Sequence, residues 1–246
     1  MLTPSPLPAH VQVALEEVLL ARLAGGRRAP TLRFWEWAEP ALVLGSHQVI
    51  ANEVDLEAAH ALGFTVARRM SGGGTMIVEP GRTITYSLYA PESLVAGLSF
   101  VDSFAFLDAW AVECLRDLGV PAGYRPINDI VSPEGKIGGA AQARRRGAVV
   151  HHTAIAYKMD TAIVPRLIRI GRAPVSPRGV RSAAREVSPL ERWLPLSRDE
   201  VVQALAACFG RRHDVRPGEL LPEELEAARA RAAAKYATPE WIDRVR

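Results

Sequence analysis

Arg68-Arg69-Met70-Ser71-Gly72-Gly73-Gly74-Thr75 is the stretch on which the fold turns. An apolar run, Phe64 to Ala67, precedes it, and a β-rich run, Thr83 to Tyr89, follows. Three consecutive glycines between strands leave the backbone free to take φ > 0 and let a ligand lie directly against the main chain. The two arginines beside them offer planar, permanently charged donors suited to carboxylate or phosphate. For the glycines alone, a flexible turn with a solvated arginine pair is an equal reading. The spacing is neither GxGxxG nor GxxxxGK[ST], which excludes a dinucleotide fingerprint and a P-loop.

Towards the N-terminus, Asp55 to Leu62 reads as a short helix stopped by Gly63. Ala41 to Leu44 and Thr31 to Trp37 read as strands, the second with Leu32 and Phe34 on one face and Trp35 and Trp37 on the other. Val11, Leu15, Val18, Leu19 and Leu23 repeat at helical spacing, and Gly25-Gly26 ends that helix. Residues 1–9, with three prolines, are expected to form an extended tail.

Towards the C-terminus, Val101 to Leu118 is a helix with Phe104, Leu107, Ala111, Leu115 and Leu118 as its buried stripe. Three β-like pieces follow: Asp129 to Val131, Lys136 to Gln142, and Ala148 to Tyr157. Ser132-Pro133-Glu134-Gly135 turns the first into the second, and Arg144-Arg145-Arg146-Gly147 the second into the third. Thr161 to Ile170 reads as helical around Pro165, and Pro174 to Pro189 as a long, mobile loop. Ser197-Arg198-Asp199-Glu200 is a capping box opening a helix through Phe209, and Pro222 starts a last helix, Glu223 to Lys235. Strands with hairpin turns and segregated helices predict an α+β fold: a mostly antiparallel sheet core flanked by helices. Residues 1–246 form one domain, with 211–246 as a C-terminal helical extension.

Hydrophobic residues at 48% and charged residues at 23% are ordinary for a globular protein, and the net charge is +3. The Arg144-Arg145-Arg146 triplet reads as a solvated turn, because no aromatic or RNA-binding signature surrounds it; no nucleic-acid partner is expected. Cys114 and Cys208 lie far apart in helix-like segments, which argues against a disulfide or a zinc site and for a reducing, cytoplasmic location. No run of 18 apolar residues and no signal-like start occurs, so neither membrane insertion nor secretion is expected.

A second informative stretch is Asn128-Asp129-Ile130, then Lys136-Ile137-Gly138-Gly139-Ala140-Ala141-Gln142. One lysine here leads a run of very small residues. Small side chains let a ligand lie along a strand, and a lysine at its mouth supplies a point charge for an anion. The plainer reading is a surface lysine on a hairpin. Together the two glycine-rich clusters suggest an elongated pocket for an apolar chain ending in an anion. No GxSxG elbow, HExxH or close carboxylate pair supports a hydrolase.

These residues carry a resemblance to the lipoate–protein ligase A family, within the wider group of biotin and lipoate protein ligases and octanoyltransferases. Leu15-Glu16-Glu17 and the strand ending Leu44-Gly45 resemble the family's opening, and Arg68 to Thr75 its RRxSGGGxV loop. Asn128-Asp129 with Lys136 to Ala141 resembles its ND…GxKxSGSA stretch, and His151-His152-Thr153 its HHGT. Gly179 to Leu190 resembles GxxSxxxRVxxL, and Tyr236 to Trp241 the closing (S/T)xEW segment. Six motifs in order are far more specific than any one.

The resemblance implies a class II biotin/lipoate ligase-like fold and a two-step reaction. Lipoate, or octanoate, and ATP form an acyl-adenylate, which then acylates a lysine of a carrier domain. Lys136 would be the catalytic residue, steadying negative charge during adenylation. Arg69, Gly74, Thr75, Met76, Ile77, Asp129, Ser182 and Arg185 would bind ATP and the adenylate. Ser71, Gly72, Gly73, Gly138, Gly139, Ala140 and His152 would bind the acyl chain. Asp129 would help hold Mg2+, although a carboxylate in a hairpin reads equally as a turn residue. The implied partners are lipoyl carrier domains of 2-oxoacid dehydrogenases or the glycine-cleavage H-type protein. The few residues after Trp241 are too short for the family's accessory domain, which implies a short form or a separate accessory subunit.

The chain departs from the pattern at Val78-Glu79, where the family often has His-Asp, at Gly138 and Ala140, where it often has serine, and at Thr153, where it has glycine. One octanoyltransferase relative carries its cysteine nucleophile two positions after Asn-Asp, where this chain has Val131. The alternatives to a ligase are therefore an ATP-independent octanoyl or lipoyl transferase and a non-catalytic lipoate- or lipoyl-domain-binding relative. A biotin ligase is disfavoured because the GRGRxxxG-type loop is missing.

Overall fold

The structure is a computed structural model that describes residues 1–2 and 4–245; Thr3 of the expected tail and Arg246 lie outside them. The elements in chain order are β1 (Pro6–Leu7), α1 (Ala9–Ala24), β2 (Thr31–Trp37), β3 (Ala41–Leu44), α2 (Ile50–Glu53), α3 (Leu56–Ala61) and β4 (Thr65–Arg68). Next come β5 (Met76–Val78), β6 (Thr83–Pro91), α4 (Phe100–Asp117), β7 (Gly123–Arg125), β8 (Asp129–Ser132), β9 (Gly135–Arg145) and β10 (Ala148–Ala156). The chain ends with α5 (Val164–Leu167), α6 (Arg198–Arg212), α7 (Pro222–Arg231) and α8 (Pro239–Ile242). A seven-stranded sheet runs β1-β2-β6-β10-β9-β8-β7, antiparallel except for the β1–β2 edge. A three-stranded sheet, β4-β3-β5, lies beside it. This is the mixed α+β architecture expected.

Period-two alternation divides the large sheet cleanly. Leu32 and Phe34 of β2 join Ile84, Tyr86, Ile130, Ile137 and Ile155 under α4 and α6. Trp35 and Trp37 point the other way, into a core with α1 and the small sheet. Four residues of the expected α4 stripe, Phe104, Leu107, Ala111 and Leu115, are buried, the fifth, Leu118, is the half-buried C-cap, and Ser99 caps the first turn. The Ser197–Glu200 capping box forms at the start of α6.

Several expectations are corrected. Cys114 and Cys208 are bonded to each other, with Cα atoms 6.0 Å apart. Both sit in the core under α4 and α6, a tertiary neighbourhood hidden by 94 residues of separation. Part of the N-terminal tail is ordered on the sheet edge: Pro6-Leu7 pairs in parallel with Glu36-Trp37, and Leu7 is buried. The Thr161–Ile170 helix shrinks to Val164–Leu167, one turn with proline in its first positions. The last helix breaks into a π turn at Ala232–Tyr236 and a further short helix, α8. Arg144 is not simply solvated: it donates to Ser103 and Gln142 and lies 3.8 Å from Glu92. Pro174 to Pro189 does lack helix and has only one isolated bridge, Lys136 to Val187, yet side chains dock it firmly, as described below.

Candidate active site

The glycine loop connects β4 to β5 of the small sheet. Gly73 has φ +88°, a conformation that side-chain-bearing residues rarely adopt, and a Cβ at Gly45 would lie 2.1 Å from the Gly73 carbonyl oxygen. Both glycines are thus required where the loop folds back on β3. The arginines, read from sequence as anion donors, are buried and bonded to main chain. Arg68 donates to the carbonyls of Gly45, Gln48 and Ile242, at 2.6–2.8 Å. Arg69 donates to Ser71 Oγ at 3.0 Å and to the carbonyls of Val43, Gly72 and Gly74 at 2.6–2.8 Å. Burial pulls the Arg69 pKa down to about 10, which leaves it charged at neutral pH. Its guanidinium is the brace that holds the loop open, and Arg68 ties the same loop to the C-terminal segment.

Lys136 reaches the site through a β-bulge. Pairing of β8 with β9 slips by one residue between Ile130 and Val131, and Ile137 takes the extra place in the core. The slip turns Lys136 to the face of Gly139, three residues on, where regular alternation would give it the face of Gly138. A Cβ on Gly139 would lie 2.6 Å from Lys136 Nζ, so this glycine is the space the ammonium occupies. Nζ is 2.7 Å from Asp129 Oδ1, and the other carboxylate oxygen is 3.1 Å from Arg185 Nε. Asp129 therefore holds two cations side by side. Both of its oxygens are so engaged, and among the described residues no group of three His, Cys, Asp or Glu stands together.

Because Gly139 yields its side-chain volume to a flexible lysine tip, Gly139→Ala should leave the melting temperature within about 2 °C while cutting turnover at least tenfold. Thermal melting and acid-dependent pyrophosphate release are the two readouts. Unchanged turnover would mean that the position of Nζ is not critical.

His152, on β10, faces the same cavity, and its Nδ1 lies 2.9 and 3.0 Å from the two oxygens of Glu16. Glu16 also accepts from Ser87, whose hydroxyl accepts from Trp35 Nε1. Ser71 Oγ is 3.4 Å from His152 Nε2. The neighbouring His151 points to the opposite face, where Asp108 binds it at 2.8 Å. Glu16 is wholly buried, and the sequence reading gave it no role. Its signal was there: Gln12 and Glu16 place two polar groups within an otherwise apolar helix face.

The segment after α5 closes over the glycine loop. Ser182 N donates to Glu53 at 3.0 Å, the Ser182 hydroxyl donates to Glu53 Oε2, and Thr75 N donates to Ser182 Oγ at 2.8 Å. Asn52 Oδ1 accepts from the amides of Val175 and Ser176, and Asn52 Nδ2 donates to the carbonyls of Ser176 and Arg178. Further on, Lys136 N donates to the Glu186 carbonyl and Ser188 N to the Lys136 carbonyl, both at 2.8 Å. Asn52 and Glu53, also missed in the sequence, are the clamp.

A cavity of about 190 Å³ lies between the two sheets. Arg69, Gly74, Thr75, Met76, Ile77, Lys136, Gly138, Gly139, Ala140, His152 and Arg185 all line it. Asp129 and Ser182 touch lining residues, and Gly73 lies near one: a Cβ there would be 3.9 Å from Ala141. Ser71 and Gly72 stand behind the wall, bonded to Arg69. Met159, Val164, Ile168 and Ile170 add apolar surface that sequence reading did not identify. A larger cavity, about 880 Å³, opens on the α4 face and contains none of these residues. The small cavity has one end marked by cations and a wall of small and aliphatic residues.

The family profile described as "Lipoyl protein ligase A/B catalytic domain" matches residues 8–210. The octanoyltransferase LipM of Kyrpidia tusciae is 30% identical over 261 residues, covering 95% of this chain and 94% of that protein. The bi-partite lipoate protein ligase of Thermoplasma acidophilum, described with its E2 lipoyl domain, superposes with a TM-score of 0.81 at 25% identity, covering 100% of this chain and 96% of that one. A lipoate-protein ligase A bound with ATP gives a TM-score of 0.81 at 26% identity, covering 99% and 97%. With the profile matching most of its length, this chain belongs to the lipoyl protein ligase A/B catalytic-domain family.

Proposed function

We propose that the protein activates lipoate or octanoate with ATP to an acyl-adenylate and transfers the acyl group to a lysine of a carrier domain. The observation that carries this reading over a thioester-forming transferase is the chemistry of the cavity: it presents Lys136 and no thiol. The chain has two cysteines, and both are joined in the buried core under α4 and α6. A thioester mechanism needs an exposed thiolate near the acyl group, whereas adenylation needs positive charge where phosphate and carboxylate meet. Lys136, with Arg185 beside it, supplies that charge, and Asp129 orients both. The acyl chain would lie along Gly138, Gly139 and Ala140, with Gly72 and Gly73 opposite and Ser71 and His152 near its far end. The nucleotide would meet Arg69 and the backbone of Gly74, Thr75, Met76 and Ile77, while Ser182 and Arg185 close over it and exclude water. ATP is the co-substrate in this reading, and a cytoplasmic location rests on that requirement, since the Cys114–Cys208 disulfide removes the argument from unpaired cysteines. The acceptors would be lipoyl domains of 2-oxoacid dehydrogenases or an H-type protein, with a separate accessory subunit supporting the second step, as the bi-partite relative suggests.

The deciding measurement is pyrophosphate release with ATP and either acid. Release that depends on both supports the ligase. Acyl exchange between carriers without ATP would replace it with the transferase, and binding of lipoate with neither activity would leave a non-catalytic relative.

A further inference from the structure

The segment from Thr161 to Arg185 contains six arginines, at 166, 169, 172, 178, 181 and 185, and no aspartate, glutamate or lysine. Removing those six from the chain's 30 basic residues leaves 24 against 27 acidic ones, so the rest of the protein carries about −3. One strand-poor segment turns a mildly acidic protein into a basic one. It is also the segment that roofs the cavity, through Val164, Ile168, Ile170, Ala183 and Arg185.

Among the described residues, two of these arginines form ion pairs: Arg172 with Asp55 and Arg185 with Asp129. Arg181 uses its guanidinium on the carbonyls of Arg169 and Arg172. Arg166 and Arg178 are exposed, and no carboxylate lies within ion-pairing reach of either among the described residues. Two large apolar side chains of the same segment are exposed, Val175 at 67% and Val180 at 48%. The Asn52 clamp fixes Val175, Ser176 and Arg178 by their backbone, which leaves their side chains turned outward at no further ordering cost.

We infer that this arginine-rich roof is the docking surface for the acyl acceptor, and that the acceptor is a protein domain whose face around its lysine is acidic. The inference rests on the ligase reading for the acceptor's identity but on charge and position for the surface. An excess of unpaired cations beside a reaction mouth raises the association rate of an anionic partner. Val175 and Val180, exposed between these arginines in the chain, offer apolar contact beside the charge, as protein interfaces combine the two. A single-stranded nucleic acid is the other polyanion such a surface attracts. It would stack bases on aromatic side chains, and residues 161–185 contain no aromatic residue or histidine.

The test uses the full chain and Arg166→Glu/Arg178→Glu, two residues outside the cavity. The probe is the apo lipoyl domain of a 2-oxoacid dehydrogenase, with binding followed by interferometry from about 20 to about 500 mM NaCl, a range that takes screening from long to short distance. The expected result is at least about tenfold weaker binding of the domain to the double variant at low salt, and a flatter salt dependence. Lipoate-dependent pyrophosphate release should be unchanged in the variant. Equal affinity of both proteins, or affinity insensitive to salt, overturns the docking surface. So does binding of a fluorescent single-stranded RNA that the variant loses, which would make this a nucleic-acid site. Absence of pyrophosphate release in the wild type would instead defeat the ligase reading, and the binding arm would still decide the surface.

Discussion

Lys136→Ala should reduce lipoate-dependent pyrophosphate release by roughly 10²–10³-fold, the usual consequence of removing one preorganised charge from a developing anion. The residue is suited to that loss because everything around it serves its position. The bulge at Ile137 turns it inward, Gly139 vacates the space for Nζ, and Asp129 fixes the ammonium at 2.7 Å. Its backbone is pinned on both sides by Glu186 and Ser188. Truncation leaves Asp129 paired with Arg185, so no buried charge is orphaned and the stability cost should stay near 1 kcal/mol. Lys136→Arg keeps the charge but replaces a compact point donor with a planar fork. With β9 and Asp129 fixing the available space, it should recover less than a tenth of the activity. Near-normal turnover of the alanine variant, in a protein that melts normally, would remove Lys136 from the mechanism and return the choice to an ATP-independent transferase.

How far the sequence revealed this site depends on what each residue's neighbours are. The strands of the large sheet were legible because alternation is local: Leu32 and Phe34 against Trp35 and Trp37 tell the two faces apart without any tertiary knowledge. The glycine loop and Lys136 were legible as motifs, and nine of the residues inferred from them line one cavity, joined by His152 and Arg185 from two later motifs. What could not be read was partnership across long separations. Cys114 and Cys208 looked unrelated, since nothing in either helix names the other as its neighbour. Glu16, 136 residues from His152, looked like one more helical carboxylate. Glu53 and Asn52 clamp a segment more than 120 residues away through hydrogen bonds to its backbone, which leave no side-chain pattern to find. The arginines conceal a structural task. Adjacent to three glycines they read as ligand donors, and the folded loop shows that they also donate to its carbonyls.

Arg69→Lys should be nearly as damaging as the loss of Lys136, by a different route. Arg69 satisfies three main-chain carbonyls and the Ser71 hydroxyl at once, with donors that diverge from one plane. A lysine ammonium keeps the charge and has three donors, but it projects them from a single atom and cannot span Val43 on one side and Gly74 on the other. At least two part-buried carbonyls would lose their partner, at about 1–2 kcal/mol each, so a destabilisation of about 2–4 kcal/mol follows. In a protein of this length that corresponds to a fall in melting temperature of roughly 5–15 °C. Function should fall with it, because the freed carbonyls belong to Gly72 and Gly74, on either side of the strained Gly73. The KM for the acid should rise at least tenfold as the loop loses its shape. Arg68→Lys supplies the contrast. Half of its hydrogen bonds go to Ile242, so it should lower the melting temperature comparably with a smaller rise in KM. If Arg69→Lys melts like the wild type and binds lipoate with unchanged affinity, the guanidinium does not brace the loop, and its burial among four acceptors would need another explanation.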